Sequence, residues 1–465
     1  MRAAQENSLA ELSSIQVDVV EPGTRARKDW LRCEIGTNLE FKMAKMESYF
    51  FAQWQPVLYD AMLVAAAVEF CDRTKRRPAR VWARQIELRI PVHEPDRWNQ
   101  QDVATALHDA LNFLTGDVWQ ITFCRRKHPE SAPRQGLISL RNGVSAVIPF
   151  SEGLDSRAVA GIMGQKLGEK LVRVRLGTKA FDGGKISRLR EPFTSVPYEV
   201  QRGEKPFVES SARSRGFKFA LISGLAAFLA DAAQVIVPES AQGALGPTLV
   251  PVGQAYVDFR SHPLFMVRME KFLLALLGHS VKFEFPQLWQ TKGETLKQFV
   301  TKCEEGQSAL EATWSCWQQN RQVSVDHKKR QCGICAACML RRLSMHTAGL
   351  SEPPATYVWE NLGAEDFDAG AAAAFDRKKI TRAMREYAIA GTLHLDHLAT
   401  MRHSPANART MALSAFQLSR ACSLTEADTR NRLDHVLDQH ETEWKNFMGS
   451  LGPSSFVAHW ASQAS

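Results

Sequence analysis

Four cysteines with metal-ligand spacing are the most specific chemical signal in this sequence. Cys316, Cys332, Cys335 and Cys338 fall within 23 positions, and the last three form a C-x2-C-x2-C run. Four thiolates with no other obvious ligand favour a closed, tetrahedral, structural Zn²⁺ site. An iron–sulfur centre, a set of free thiols, and replacement of one ligand by His327 inside the loop are the alternatives.

A second group of residues predicts an anion site at 149–156, where the sequence reads PFSEGLDS. The stretch joins a predicted strand at 144–150 to a predicted helix at 157–167. Backbone N–H groups and the helix dipole point at an anion in such a turn. Ser151 and Ser156 add hydroxyl donors, Gly153 allows close backbone approach, and Asp155 would hold Mg²⁺ or the helix N-terminus. The spacing is not that of a Walker loop, and an ordinary capped turn is the alternative.

The elements around this turn predict an α/β fold with a doubly wound parallel sheet. Strand patterns at 170–176, 234–238 and 281–285 alternate with helix patterns at 217–231 and 264–277. Ligands of such sheets bind at the carboxyl ends of the strands. Glu239, which follows the strand at 234–238, is therefore a candidate ligand-binding residue.

The predicted domain organisation has four parts. Residues 1–27 are polar without periodicity and predict a flexible arm. Residues 28–136 form an N-terminal α/β extension, with helices at 59–72 and 102–114 and strands at 81–92 and 118–124. Residues 137–350 form the central domain with the cysteine site. Residues 351–465 form a helical C-terminal domain, with helices at 377–401 and 408–439.

Composition indicates an ordinary globular protein. Of the 465 residues, 45% are hydrophobic and 23% are charged, which excludes a collagen-like, disordered or coiled-coil protein as the dominant class. The net charge of +8 permits a phosphate-bearing ligand without requiring nucleic acid. No apolar run reaches the ~18 residues of a membrane helix, no secretory signal is visible, and the other five cysteines are scattered. A reduced, cytoplasmic location without membrane contact is expected.

The turn at 149–156 resembles the SGGxDS signature of PP-loop ATP pyrophosphatases, with Glu152 in place of a glycine. Together with the cysteine run CGICAACMLRR, it resembles the QueC family, 7-cyano-7-deazaguanine synthases, over about residues 141–350. The stretches RSRGF at 213–217, YVDFR at 256–260, TKGE at 291–294 and WSCW at 314–317 are also similar to QueC segments.

This resemblance implies a PP-loop fold of the adenine nucleotide alpha hydrolase type. It implies cleavage of ATP to AMP and pyrophosphate during adenylation of the carboxylate of 7-carboxy-7-deazaguanine. The residues expected to bind ATP and Mg²⁺ are Ser151, Gly153, Leu154, Asp155, Ser156 and Arg215. Ser151, Asp155, Ser156 and Lys292 are the expected catalytic residues, with Lys292 neutralising charge on the transferred group. Glu239, Asp258 and Arg260 are rival candidates for holding the base and its carboxylate.

The long terminal regions resemble those of QueC-like proteins from bacterial anti-phage systems, namely QatC of Qat systems and the QueC-like protein of type IV CBASS. This similarity implies an acyl acceptor that is the amino terminus of a partner protein encoded in the same defence system. Ammonia, which yields a free nitrile, is the alternative acceptor, and a homo-oligomer interface is an alternative role for the extensions. A tRNA-thiolating relative is disfavoured because no cysteine lies between Cys124 and Cys303. A non-catalytic binding module, with its loop disabled by Glu152, is the third class.

Overall fold

The structure is a computed structural model and describes most of the chain. The described residues are 13–40, 55–77, 83–129, 143–151, 153–176, 193–196, 198–209, 213–251, 257–304, 306–318 and 323–462. Glu152, Tyr256 and Trp82 lie outside them.

The described residues contain the following strands and helices in chain order. The strands are β1 (Ser13–Val20), β2 (Leu31–Glu34), β3 (Leu39–Glu40), β4 (Arg84–Val92), β5 (Val118–Arg125), β6 (Ala146–Pro149), β7 (Leu171–Leu176), β8 (Phe193–Val196), β9 (Glu199–Val200), β10 (Gln234–Ile236), β11 (Lys282–Glu284), β12 (Ser324–Val325) and β13 (Lys328–Lys329). The α-helices are α1 (Pro56–Thr74), α2 (Pro95–Trp98), α3 (Gln101–Thr115), α4 (Leu154–Leu167), α5 (Arg215–Leu229), α6 (Ala241–Ala244), α7 (Gly246–Leu249), α8 (Pro263–Leu277), α9 (Lys292–Lys302), α10 (Gly306–Glu311), α11 (Ala336–Thr347), α12 (Arg382–Thr400), α13 (Ala408–Cys422), α14 (Glu426–Leu451) and α15 (Phe456–Ser462). Short 3-10 turns lie at Gly168–Lys170, Pro354–Thr356, Arg377–Lys379, Met401–His403 and Pro405–Asn407.

The chain divides into two compact units, each assembled from separate segments. Unit 1 comprises Met1–Pro149, Glu169–Val237 and Asp258–Glu284. Unit 2 comprises Phe150–Gly168, Pro238–Val257 and Phe285–Ser465. The chain crosses between the units at five points, among them directly after β6, one residue after β10 and directly after β11.

Unit 1 contains two parallel sheets, so the predicted mixed α/β class with parallel sheets is confirmed. The first has the order β2–β1–β4–β5 and the second the order β11–β10–β6–β7–β8. In the second sheet the chain runs outward from β6 to β8, then returns to the other side of β6 for β10 and β11. This reversal beside β6 is the arrangement of doubly wound sheets.

The strand and helix predictions for unit 1 hold within a few residues at each end. In β4, Ile86, Leu88 and Ile90 alternate with more exposed residues and are almost fully buried. This burial confirms the period-two pattern that predicts the strand. Helix α1 is buried along nearly its whole length and packs on α5. Helices α3 and α5 both pack on α8.

The structure differs from the sequence prediction over residues 13–20. A flexible arm is predicted for 1–27, yet β1 occupies an interior position of the first sheet, between β2 and β4. Val17 and Val19 are fully buried there, and Asp18 accepts hydrogen bonds from Arg89 and from the backbone of Arg27. Polar Ser, Gln and Asp side chains alternate with the apolar ones, which hides the strand within a polar sequence.

Unit 2 is mainly helical, in agreement with the absence of strand patterns after residue 353. The predicted helix at 408–439 is two helices, because Ser423 adopts a left-handed conformation (φ 54°) and ends α13. The hydroxyl of Thr425 then accepts a hydrogen bond from the backbone N–H of Asp428 and caps α14. None of the helices in the described part of the chain is long and apolar enough to cross a membrane.

Candidate functional site

The four predicted metal ligands converge at one buried point in unit 2. The Sγ atoms of Cys316, Cys332, Cys335 and Cys338 all lie within 4.8 Å of one another. The Cys332 and Cys338 sulfurs are 3.8 Å apart. Four sulfurs at tetrahedral corners about 2.3 Å from a zinc ion are separated by about 3.8 Å. The cluster can therefore hold a metal ion, and its donor set fits Zn²⁺.

Backbone N–H groups surround the sulfurs. The Cys332 N–H donates to Cys316 Sγ at 3.2 Å, and the Cys335 N–H donates to Cys332 Sγ at 3.3 Å. Burial raises the pKa of the Cys332 and Cys338 thiols, so thiolates at these positions need a cation beside them. His327 is exposed in the turn between β12 and β13 and is not one of the clustered ligands.

The cysteine segment is held in place by a buried arginine of α11. Arg341 is fully buried and forms a 2.7 Å ion pair with Glu352. It also donates to the hydroxyl of Thr313 at 2.6 Å, and Glu352 accepts a short hydrogen bond from Tyr357. These contacts connect the segments on both sides of the cysteine cluster.

The predicted phosphate loop closes on itself through its two serines. The Ser151 and Ser156 hydroxyl oxygens are 3.0 Å apart. The Ser151 N–H donates to Ser156 Oγ, and the Gly153 N–H donates to Ser151 Oγ. Gly153 is the N-cap of α4, with no side chain capping the helix. Leu154, the first residue of α4, is buried in the core, so only its backbone N–H can serve a ligand.

The structure brings Lys292 to this helix N-terminus. Its Nζ donates to Asp155 Oδ2 at 2.6 Å, and both side chains are mostly buried. Asp155 Oδ1 is buried and has no hydrogen-bond partner among the described residues. Close packing of α4 on α9 sets this contact, since a Cβ at Gly161 would lie 2.3 Å from the Phe299 ring.

A capping box fixes the start of α9 and thereby the position of Lys292. The Thr291 hydroxyl accepts from the Glu294 N–H at 3.1 Å, and Glu294 accepts from the Thr291 N–H at 2.8 Å. The Lys292 N–H donates to Gln242 at 2.7 Å. The TKGE stretch contains the capping-box pattern T-x-x-E, so this much was present in the sequence.

Glu443 of α14 is a buried residue of this region that no sequence motif indicates. Its Oε1 accepts from the Thr291 hydroxyl at 2.5 Å and from Gln439 at 3.2 Å. Burial raises the pKa of Glu443 to about 7, and the nearby charge of Glu294 adds to this effect. The hydrogen bonds from Thr291 and Gln439 oppose it. Only the tertiary structure reveals the contact, because 152 residues separate the partners.

Three other predicted site residues lie together in unit 1. Arg260 forms a bidentate ion pair with Asp258, at 2.6–2.9 Å, and both side chains are about one-third exposed. Gly216 packs against the Arg260 backbone, since a Cβ there would lie 2.9 Å from Arg260 Cα. Arg215 is exposed at the start of α5 and lies over the Phe219 ring.

Glu239 follows β10 in the chain and lies in unit 2. Its carboxylate folds against α6, where a Cβ on Gly243 would be 2.1 Å from Glu239 Oε2. The glycine is therefore needed for this close approach. The structure thus groups Ser151, Asp155, Ser156, Lys292 and Glu239 in one unit and Arg215, Asp258 and Arg260 in the other.

A comparison with protein-family models gives a match over part of the chain. Residues 250–349 match the family model described as "Queuosine biosynthesis protein QueC". The matched 100 residues include Lys292 and the four clustered cysteines but not the loop at 151–156. No curated protein and no solved structure matches the chain. The segment at 250–349 is therefore similar to QueC, and this similarity covers 100 of 465 residues.

Proposed function

We propose that the protein uses ATP to adenylate the carboxylate of a 7-carboxy-7-deazaguanine-type ligand and transfers the acyl group to an amine. The observation that carries this proposal is the 2.6 Å contact of Lys292 Nζ with Asp155 Oδ2 at the start of α4. It places a cation, a carboxylate and two serine hydroxyls at one helix N-terminus. The QueC match at 250–349, which includes Lys292, supports the same ATP-using class of activity.

The residues at this helix suit binding of Mg·ATP. The backbone N–H groups of the first turn and the hydroxyls of Ser151 and Ser156 would bind pyrophosphate oxygens. Asp155 fits a Mg²⁺ ligand because its buried Oδ1 has no partner in the described part of the chain. Bound Mg²⁺ would neutralise phosphate charge, leaving the Lys292 ammonium to stabilise negative charge at the α-phosphate.

The proposed reaction has two steps. A carboxylate oxygen attacks the α-phosphorus of ATP, the bond to the bridging oxygen breaks, and pyrophosphate leaves. The acceptor's ammonium group loses a proton to water, and the resulting neutral amine attacks the acyl carbon. A C–N bond forms, AMP leaves with the C–O bonding pair, and the nitrogen loses a second proton to water. A carboxylate is a poor electrophile, and adenylation supplies its leaving group.

The remaining parts of the proposal concern the ligand and the fold. The Arg260 guanidinium suits the ligand carboxylate, and Asp258 or Glu239 suits the N1–H and amino group of the base. Arg215 would contact phosphate or ribose. The order of the second sheet supports a PP-loop type of fold, since β6 and β10 flank the point where the strand order reverses. The loop at 151–156 follows β6, and Glu239 follows β10.

The proposed acceptor is the amino terminus of a partner protein encoded in the same anti-phage system, of the Qat or type IV CBASS kind. The long segments outside the QueC-like region support this proposal, because a macromolecular acceptor needs more contact surface than ammonia does. Ammonia is the alternative acceptor, which would give the amide and then, after a second adenylation and loss of water, the free nitrile. We place the reaction in the cytoplasm, where ATP is available.

Pyrophosphate release from Mg·ATP, measured with and without 7-carboxy-7-deazaguanine, tests the proposal. We expect release that depends on the deazaguanine, and mass spectrometry of the products identifies nitrile, amide or modified protein. The double variant Ser151→Ala, Asp155→Ala should lose release. Ser351→Ala combined with Glu365→Ala, which changes two exposed residues, is the matched control. Absence of release from the wild type with every acceptor would instead support a non-catalytic binding module.

A further inference from the structure

A polar groove in unit 2 lies outside the residues used above. It encloses about 620 Å³ between α9, the end of α11 and α14. Glu443, Gln298 and Thr347 form its inner part, and the exposed side chains of Lys297, Lys302 and His346 lie at its rim. Binding pockets for small ligands commonly enclose about 300–1,000 Å³, so its size suits a ligand larger than one ion.

Three oxygens of the inner groove lack hydrogen-bond partners. Glu443 Oε2, Gln298 Oε1 and Thr347 Oγ1 are all buried and unpaired among the described residues. Glu443 itself is 3% exposed, so its carboxylate is more than nine-tenths buried. A buried polar group without a partner is destabilising, because it has lost its hydrogen bonds to water. Gln298 Oε1 and, in the ionised form of Glu443, its Oε2 are acceptors only, so the groups that would complete them are donors.

A primary ammonium group matches this set of oxygens. It offers three N–H donors and no acceptor, and its positive charge suits a buried carboxylate. The two rim lysines are solvent-exposed, so their charges are screened more strongly than the charge of Glu443. An anion is disfavoured in the inner groove because Glu443 and the partly buried Glu294 face it.

The groove is also joined to the proposed adenylation site by direct contacts. Glu443 accepts from the Thr291 hydroxyl, and Thr291 precedes Lys292, which bonds Asp155 at 2.6 Å. All these residues belong to unit 2. We infer that the inner groove binds the primary ammonium group of the acyl acceptor, with Glu443 as its principal partner. This inference rests on the proposed function, and it names the chemical class of the acceptor's binding group.

Two sources supply this chemistry, ammonium ion and the amino terminus of a polypeptide, and the volume favours the latter. The test measures binding to the full-length protein by calorimetry with ammonium chloride, triglycine amide and N-acetyl-triglycine amide. We expect triglycine amide to bind and its acetylated form to bind at least 10-fold more weakly. Binding of ammonium alone with equal affinity would assign the groove to ammonium ion.

Glu443→Gln should weaken binding of triglycine amide at least 10-fold. The first turnover of pyrophosphate release, measured without any amine, is followed in parallel and reports adenylation separately from acceptor binding. Thr347→Val, which keeps the side-chain shape, should weaken binding about threefold. Glu386→Gln, at an exposed position of α12, should change neither quantity.

Equal binding of the free and acetylated peptides, or unchanged binding by Glu443→Gln, overturns the inference. The binding arm does not depend on turnover. A wild type that binds triglycine amide without releasing pyrophosphate would contradict the proposed function and leave the ammonium site supported. A wild type that releases pyrophosphate but does not distinguish the peptides would support the proposed function and contradict the ammonium site.

Discussion

Thr291 donates its hydroxyl hydrogen to Glu443 Oε1 at 2.5 Å, although the two residues are 152 positions apart. The same hydroxyl accepts from the Glu294 N–H as the N-cap of α9. The hydroxyl therefore acts both as a donor and as an acceptor. The long helix α14 thus helps to fix the first turn of α9, which contains Lys292, the partner of Asp155.

Lys292→Met should reduce pyrophosphate release by about 10²- to 10³-fold, the usual effect of removing one group that stabilises transition-state charge. Initial rates at saturating ATP measure the effect. Lys166→Met, at an exposed position of α4, is the matched control and should retain the wild-type rate. A Lys292→Met rate within threefold of the wild type would show that this ammonium does not act in the reaction.

Glu443→Gln should change the pH dependence of stability. Because the folded-state pKa of Glu443 is about 7 and its ordinary value is 4.5, the folded protein binds a proton that the unfolded chain releases between these values. The charged groups facing Glu443 in the groove are Glu294, Lys297, Lys302 and His346. The contribution of this proton to the free energy of unfolding is fully present below pH 4.5 and is lost as the pH rises through 7.

The wild type should therefore lose about 3 kcal/mol of unfolding free energy relative to Glu443→Gln between pH 5 and pH 8. Urea unfolding of both proteins at several pH values measures this difference. A constant difference across the range would mean that Glu443 titrates near its ordinary value.

Gly293→Ala should destabilise the protein by about 1–3 kcal/mol through overpacking. The added methyl carbon would lie 2.5 Å from Thr347 Cγ2 and 3.2 Å from Glu443 Oε1. Gly449→Ala is a matched control in α14, where a Cβ meets no atom within 4 Å. The control should gain up to about 1 kcal/mol from helix propensity. Equal thermal melting of the two variants would contradict the close approach at Gly293.

Cys332→Ser should remove the bound metal. We expect about one zinc ion per wild-type chain by elemental analysis and a strongly reduced content in the variant, because the site needs all four thiolates. Metal loss should also lower the melting temperature, since binding energy of a structural zinc is folding energy. Cys422→Ser, outside the cluster, should keep its zinc. Iron and sulfide in the purified protein would identify an iron–sulfur centre instead.

Asp72→Asn should destabilise unit 1 by about 3–5 kcal/mol, because it leaves buried arginines without their partner. Asp72 is fully buried and forms ion pairs with Arg77 and Arg84 at 2.5 and 2.7 Å. Burial alone would raise the pKa of Asp72, but the two arginines lower it below its ordinary value. This stabilisation is present above pH 3.8 and is lost as the pH falls through the lowered pKa.

Urea unfolding measures the cost of Asp72→Asn, and Asp96→Asn is its control because that carboxylate is 94% exposed. The control should change stability by less than about 0.5 kcal/mol. Similar costs for the two substitutions would show that the buried network does not stabilise unit 1.

The sequence by itself determined the local features of this protein. Period-two patterns predicted strands such as β4, and cysteine spacing predicted the group of four thiols that could hold a metal ion. Both signals depend on near neighbours in the chain. The predicted flexible arm failed over β1, where a polar sequence gains its structure from strands paired on both sides. The prediction of a single helix at 408–439 was wrong at Ser423, because no motif indicates the left-handed backbone conformation of this residue.

Tertiary structure alone decided which distant side chains meet. Asp155 and Lys292 are 137 positions apart, and their contact depends on the packing of α4 against α9 around Gly161. Glu443 lies in a helix without any recognisable motif, and its raised pKa follows from burial, which outweighs the opposing hydrogen bond from Thr291. Burial and long-range packing are properties of the folded chain as a whole, so local residue spacing does not encode them in a readable form.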